Sequence, residues 1–322
     1  MNDSPVLLLL FNRPGCTRDL VSRLEEISPK KILVAVDGPR ANSITDTHKI
    51  QEVLQIAESI NWTDDVTFRI RDLNLGLRGA VTDAVTWAMS EYGKAIILED
   101  DTLPTPNFFE FCNWSLKKFE STPVGHISGY NVIAPKYLSS DQSLARLSRY
   151  PESFAWATWS DKWSLYNDNL DWAKEASIPE LKKFCGSTLA ALNWKRAFYD
   201  AKSFRVDSWA YRWIASLWAN NLYCLSPNTN LVTYNGYVDG THTQSKASWQ
   251  ELPTGSISLE NINSSSPTVD FCADKWIERH VFGGSISGFS KGLLQSTALE
   301  IRALRRRNDR FSPRGRHRFE KN

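Results

Sequence analysis

Short apolar runs alternate with stretches whose apolar residues recur three and four apart, and this alternation organises the N-terminal third of the chain. Val6 to Phe11 is a continuous apolar run of the kind buried on both faces, and beyond Pro14 the residues Leu20, Val21, Leu24 and Ile27 fall at helical spacing. Lys31 to Val36 predicts a second strand, closed by Asp37-Gly38-Pro39, and Ile50, Val53, Leu54, Ala57 and Ile60 mark one side of a second helix. Val66 to Ile70 predicts a third strand, Asn74 to Gly79 a loop, Val81 to Met89 a helix and Ala95 to Leu98 a fourth strand. Strands alternating with helices predict an α/β fold: an open, mostly parallel sheet with helices on both faces, which binds ligands outside the carboxyl ends of its strands.

From about Tyr150 the pattern changes to aromatic-dense stretches, "PESFAWATWSDKW" and "KSFRVDSWAYRWIASLWANN", which read as the second half of the same domain. Residues 245 to 270, rich in Ser, Thr, Asn and Pro, read as an excursion or linker that the catalytic unit precedes. Composition adds three constraints. Apolar residues at 42% and charged residues at 23% are ordinary for a globular chain, whereas 13 Trp supply flat faces suited either to core packing or to stacking on sugars or bases. A net charge of +2 gives no global attraction to nucleic acid, although Arg302, Arg305, Arg306, Arg307, Arg310, Arg314, Arg316 and Arg318 form a basic C-terminal tail, either solvated or held against an anionic surface. Five widely spaced Cys without a C-x-x-C pair suggest reduced, buried thiols, and neither a membrane span nor a basic signal-peptide start is evident, so a cytoplasmic location is expected.

The chemistry gathers at the strand ends. The stretch "AIILEDDTLPTPNFFEF" runs from an apolar strand into Glu99, Asp100 and Asp101, and such a cluster must face either water or a cation. If the strand persists, Glu99 and Asp101 lean to one side and Asp100 to the other. A hard cation such as Mg2+ or Mn2+ answers the repulsion, because beside a phosphate-bearing substrate it needs only one or two protein carboxylates. Arg13 can stack on a base or bind phosphate, and Asp37 can accept from a base or ribose or simply close a turn. Arg78, beside Gly79, can reach a diphosphate near a helix start. Asp207 lies among Phe204, Trp209, Tyr211 and Trp213, whose apolar character would raise its pKa towards that of a general base; pairing with Arg205 or Arg212 is the alternative. Asn235 to Thr243, with two glycines, reads as a lid in which His242 contacts a diphosphate or metal or stays exposed.

The apolar strand, Glu99-Asp100-Asp101, Pro106-x-Phe108-Phe109, Asn12-Arg13-Pro14 and Asp37 together resemble the inverting N-acetylglucosaminyltransferase I family of glycosyltransferases, which has the GT-A fold. The resemblance covers residues 5 to 245. It implies a catalytic domain over residues 1–245, with a nucleotide-sugar half of about 1–130 and an acceptor half of about 131–245, followed by the excursion and tail over 246–322. It implies Mn2+ or Mg2+ on Asp101, contacts of Asp100 and Glu99 with the donor's ribose and sugar, and a base, expected to be uracil, held by Arg13 and Asp37. The family's base lies in a Trp-Asp-Asp-Trp segment, matched here by Val206-Asp207-Ser208-Trp209 without the leading Trp and the second Asp. The expected partners are a nucleotide-sugar donor and a glycan or glycolipid acceptor, with surface polysaccharide synthesis the setting, no nucleic acid, and peripheral membrane contact through the basic C-terminus. A sugar-phosphate nucleotidyltransferase would open with a glycine-rich basic loop, which "LLLLFNRPGC" lacks, and a noncatalytic glycan-binding protein would have no need of the acids.

Overall fold

The computed structural model describes residues 4–139, 144–236, 252–259 and 267–311, without the side chains of 286, 293 and 301–311. Its first half runs β1 (Val6–Leu10), α1 (Pro14–Ile27), β2 (Ile32–Val36), α2 (Ile44–Glu58), β3 (Val66–Ile70), α3 (Gly76–Tyr92), β4 (Lys94–Glu99), β5 (Thr102–Pro104), α4 (Pro106–Lys118) and β6 (Val124–Ser128). After a 3-10 turn at Pro135–Tyr137 follow β7 (Ala145–Ser148), β8 (Ala155–Trp159), α5 (Ser160–Trp163), α6 (Asp171–Glu175), α7 (Ile178–Cys185) and α8 (Thr188–Lys202). The chain continues through α9 (Trp209–Ala219), β9 (Tyr223–Pro227), β10 (Val232–Tyr234), α10 (Phe271–His280) and α11 (Ile286–Phe311).

Eight strands form one mixed sheet in the order β3-β2-β1-β4-β8-β6-β9-β7, in which β8 and β7 run against the other six. The apolar runs occupy its middle because both faces are covered. Alternate residues Val34, Ile96 and Leu98 meet Leu20 and Leu24 of α1, Val53 of α2 and Phe108 of α4 on one face. On the other, Leu7, Leu33, Ala35 and Ile97 meet Val81 and Val85 of α3 and Trp209 and Trp213 of α9. From β1 the chain winds outward through β2 to β3 on the first face, and α3 carries it back across the second face to β4 on the other side of β1. The direction of winding therefore reverses between β1 and β4, which opens a crevice at their carboxyl ends. A short ribbon of β5 and β10 stands over this edge, with Thr102 opposite Tyr234.

Three expectations need correction. The segment Asn74 to Gly79 is not a free loop: α3 begins at Gly76, whose φ of +72° turns the chain into the helix. The described residues after 245 do not form a separate appendix either. Ala273 and Ile277 of α10 are wholly buried in the main core, Val269 bridges to Leu147, and Ile257, itself buried, donates its amide to the Asn107 side-chain oxygen. Cys272 is exposed, although Cys112, Cys185 and Cys224 are buried as expected. Seven of the 13 tryptophans resolve towards packing, since Trp156, Trp159, Trp163, Trp194, Trp209, Trp213 and Trp218 are each at most 4% exposed. Among the described residues no helix is long and apolar enough to cross a membrane.

Candidate active site

The crevice is built where β1, β2 and β4 end. Leu9 pairs with Glu99 and Leu10 with Val36, so Arg13, Asp37 and the three acids leave neighbouring strands on one edge. The β4 strand stops at Glu99, and the expected alternation stops with it: Asp100 and Asp101 turn towards the same guanidinium. Arg13 Nη1 donates to Asp101 Oδ2 at 2.6 Å and to Asp100 Oδ1 at 3.2 Å. The cation faced by the acids is thus, in the first instance, the chain's own arginine. Arg13 is not left free for a base or phosphate while this pair stands.

One positive charge beside three carboxylates is too little. Burial, together with Asp101 and Asp100, raises the pKa of Glu99 well above the carboxylate range. Burial likewise lifts Asp100 to about 7, against the pull of Arg13. Burial opposes the charge on Arg13, but Asp100 and Asp101 more than compensate, holding it protonated. Asp101 carries the telling atom. Its Oδ1 is buried without a hydrogen-bond partner among the described residues, while its Oδ2 takes Arg13. Such an oxygen fits one carboxylate ligand of a phosphate-bound Mg2+ or Mn2+, which keeps its other positions for phosphate and water. No group of three or more His, Cys, Asp and Glu able to hold a metal by themselves occurs among the described residues.

The chain also closes over Asp101 from above. The Asn235 amide donates to the Asp101 carbonyl at 2.7 Å, and its side chain ties to Asp19 of α1 at 2.7 Å. A Cβ on Gly236 would lie 2.7 Å from Asp101 Oδ2, so only glycine lets the backbone approach this closely. His242 lies beyond this point, outside the described residues, as does the rest of the expected lid.

Asp37 is engaged by its own chain, in the turn-closing role that was one of its two readings. Its Oδ1 accepts from the Gly38 and Leu75 amides at 3.0 Å each, and its Oδ2 accepts from Asn74 Nδ2 at 2.8 Å. Burial raises its pKa although these donors favour the charged form. The carboxylate therefore fastens the segment entering α3 to the end of β2, with only part of its acceptor capacity left for a ligand. Asn12 is likewise engaged, donating to buried Asp46 at 2.7 Å.

Asp207 reaches the same edge from the opposite sheet face. Trp209, the first residue of α9, stacks on Trp156 at 5.3 Å, and Trp156 pairs with Ile97 near the end of β4. Asp207 Oδ2 lies against Gly76, the first residue of α3, and Arg78 Nε donates to Asp207 Oδ1 at 3.0 Å. The expected apolar surroundings are absent: the side chain of Asp207 is 51% exposed. Its partner is Arg78 rather than Arg205 or Arg212, which bind Asp200 and Asp168 instead. Arg78 also binds Asp168 and lies 5.2 Å from the Phe204 ring. Asp168, bridging Arg78 and Arg212, escaped the sequence reading, because a partner 90 residues away carries no local signal. Asp161 follows β8 at the level of Lys94, the opposite end of β4 from the crevice. Compared with known protein families and with curated proteins, the chain finds no match.

Proposed function

We infer that the protein is a metal-dependent, inverting glycosyltransferase that moves a sugar from a nucleoside diphosphate, with uridine the expected nucleoside, to a hydroxyl of a glycan or glycolipid. The observation that carries this reading is the buried Oδ1 of Asp101, unpartnered among the described residues, at the switch point of a doubly wound sheet, beside two further acids and Arg13. Asp101 would hold Mn2+ or Mg2+, which when bound neutralises charge on the diphosphate as it leaves. Glu99 and Asp100 face the donor's sugar and ribose. Arg13 holds Asp100 and Asp101 together and can turn to a phosphate once a cation shares their charge.

Asp207 is the proposed base, taking the proton of the acceptor hydroxyl as that oxygen attacks the sugar carbon. Its pair with Arg78 is half exposed, and such pairs are worth about 0–1 kcal/mol, so exchanging Arg78 for an acceptor hydroxyl costs little. Transfer from a panel of nucleotide sugars with Mn2+ present tests the assignment. Asp207→Asn keeps the shape but cannot take a proton, so kcat should fall by about 10² to 10⁴ with donor affinity little changed. A folded variant retaining more than about a tenth of the wild-type kcat would remove Asp207 from this role.

A further inference from the structure

Four strands beyond β4, about 19 Å away at the ~4.8 Å spacing of neighbouring strands, the far edge of the sheet carries a second groove. Its volume is ≈ 950 Å³, and its walls come from the end of β7, the α7–α8 junction, α10 and the start of α11. Three features of its lining select a ligand. Arg149, Lys275 and Arg279 all face it, and none has an ion-pair partner among the described residues. The N-termini of α8 and α11 open into it at Ser187 and Ser285, which cap the Ala190 and Gly288 amides at 3.1 Å each. The first amides of each helix remain without intrahelical partners, adding positive potential at the same place.

The third feature is a carboxylate. Glu278, 5% exposed, accepts from Tyr150 and Trp194 on Oε2 at 2.6 and 2.8 Å, while its Oε1 has no partner among the described residues. Gly284, which also lines the groove, leaves that oxygen room: a Cβ there would sit 2.6 Å from it. A simple anion satisfies the cations and helix ends but not this acceptor, which needs a donor such as a hydroxyl. Phe271, 64% exposed and 5.6 Å from the Arg149 guanidinium, offers a ring face, while Phe184, stacked on Trp218, backs Arg149 from its other side at 5.8 Å. Hydroxyl donors, ring faces and negative charge occur together in an acidic saccharide.

We propose that this groove binds a saccharide bearing carboxylate or phosphate groups, at a site separate from the acid crevice of β4. The site stands on its own residues, so it can fail while the proposed transferase activity holds, and the reverse. Calorimetric titration of the intact protein decides it, with three probes: a hexasaccharide alternating glucuronate and N-acetylglucosamine, a phosphorylated monosaccharide, and neutral maltohexaose. Inorganic phosphate serves as competitor. An acidic sugar should bind more tightly than maltohexaose, and the advantage should shrink as salt rises. Lys275 and Arg279 are exposed, so Lys275→Ala with Arg279→Ala should leave the fold intact and weaken acidic-sugar binding by about tenfold or more, the loss expected for a charged hydrogen bond. Four results would overturn the proposal: no binding of either acidic sugar at millimolar concentration, equal affinity for the neutral hexasaccharide, affinity for the double variant equal to wild type, or phosphate alone binding as tightly as the sugars.

Discussion

Arg13 gives one positive charge to a cluster of three acids, and the shortfall has a pH signature. In an unfolded chain an Asp ionises near pH 4, whereas in the folded protein Asp100 keeps its proton up to about 7. Between those values the folded state binds more protons, so the contribution of Asp100 to stability falls as pH rises through the window, and the full penalty stands above it. Asp100→Asn, which can still accept from Arg13, should therefore raise the melting temperature over wild type at about pH 8 and change it little at about pH 4. Equal shifts at both pH values would mean that the carboxyl is not held neutral. At this scale the sequence announced the acids through their adjacency after an apolar run, but not their partner. Arg13 lies 87 and 88 residues from Asp100 and Asp101, a pairing created only when β1 and β4 become neighbours. The apolar surroundings expected for Asp207 fail for a related reason. Neighbouring aromatic residues in sequence need not surround a side chain, and here Trp209 and Trp213 turn into the core while Asp207 stays half exposed.

Element by element, the apolar runs told more. The strands β1 to β4 fall within a residue of the expected limits: β1, β2 and β4 are runs buried on both faces, which have few alternatives, and the largely exposed edge strand β3 is marked by its β-branched and aromatic residues instead. What periodicity could not reveal is how strand ends are fastened. The Asp37-Gly38 turn reads as ordinary turn chemistry, yet it holds the entry to α3 from both sides: Asp37 takes the Leu75 and Asn74 donors, and Gly38 packs on the Leu73 backbone. A Cβ on Gly38 would lie 2.5 Å from the Leu73 carbonyl carbon. Gly38→Ala should thus destabilise the protein by about 1–3 kcal/mol, the usual range for overpacking. Gly15→Ala, in the first turn of α1 with nothing within 4 Å, should be neutral or slightly stabilising. Chemical denaturation of the two variants checks the contrast, and equal stabilities would count against the close fit at Gly38.

Over the whole molecule, an open, mostly parallel sheet covered by helices follows from the alternation of strands and helices, but the strand order emerges only in the structure, and the C-terminal third does not follow from its composition. Ser- and Thr-rich stretches suggested a division near residue 245, while α10 completes the core through Ala273 and Ile277 and supplies Glu278 to Tyr150 and Trp194. Ending the chain at residue 245 should accordingly abolish cooperative unfolding, whereas removing residues from Arg302 onward should leave the melting temperature close to that of the full chain. A 1–245 fragment that melts like the full chain would restore the proposed boundary. The central claim, that the carboxyl edge of β4 receives a metal-bound nucleoside diphosphate, is tested most directly by calorimetric titration of UDP into wild type and Asp101→Ala, each with and without Mn2+. The wild type should bind UDP markedly more tightly with Mn2+ than without, and the folded Asp101→Ala protein should lose that enhancement. The same Mn2+ enhancement in both proteins, or in neither, would contradict the claim.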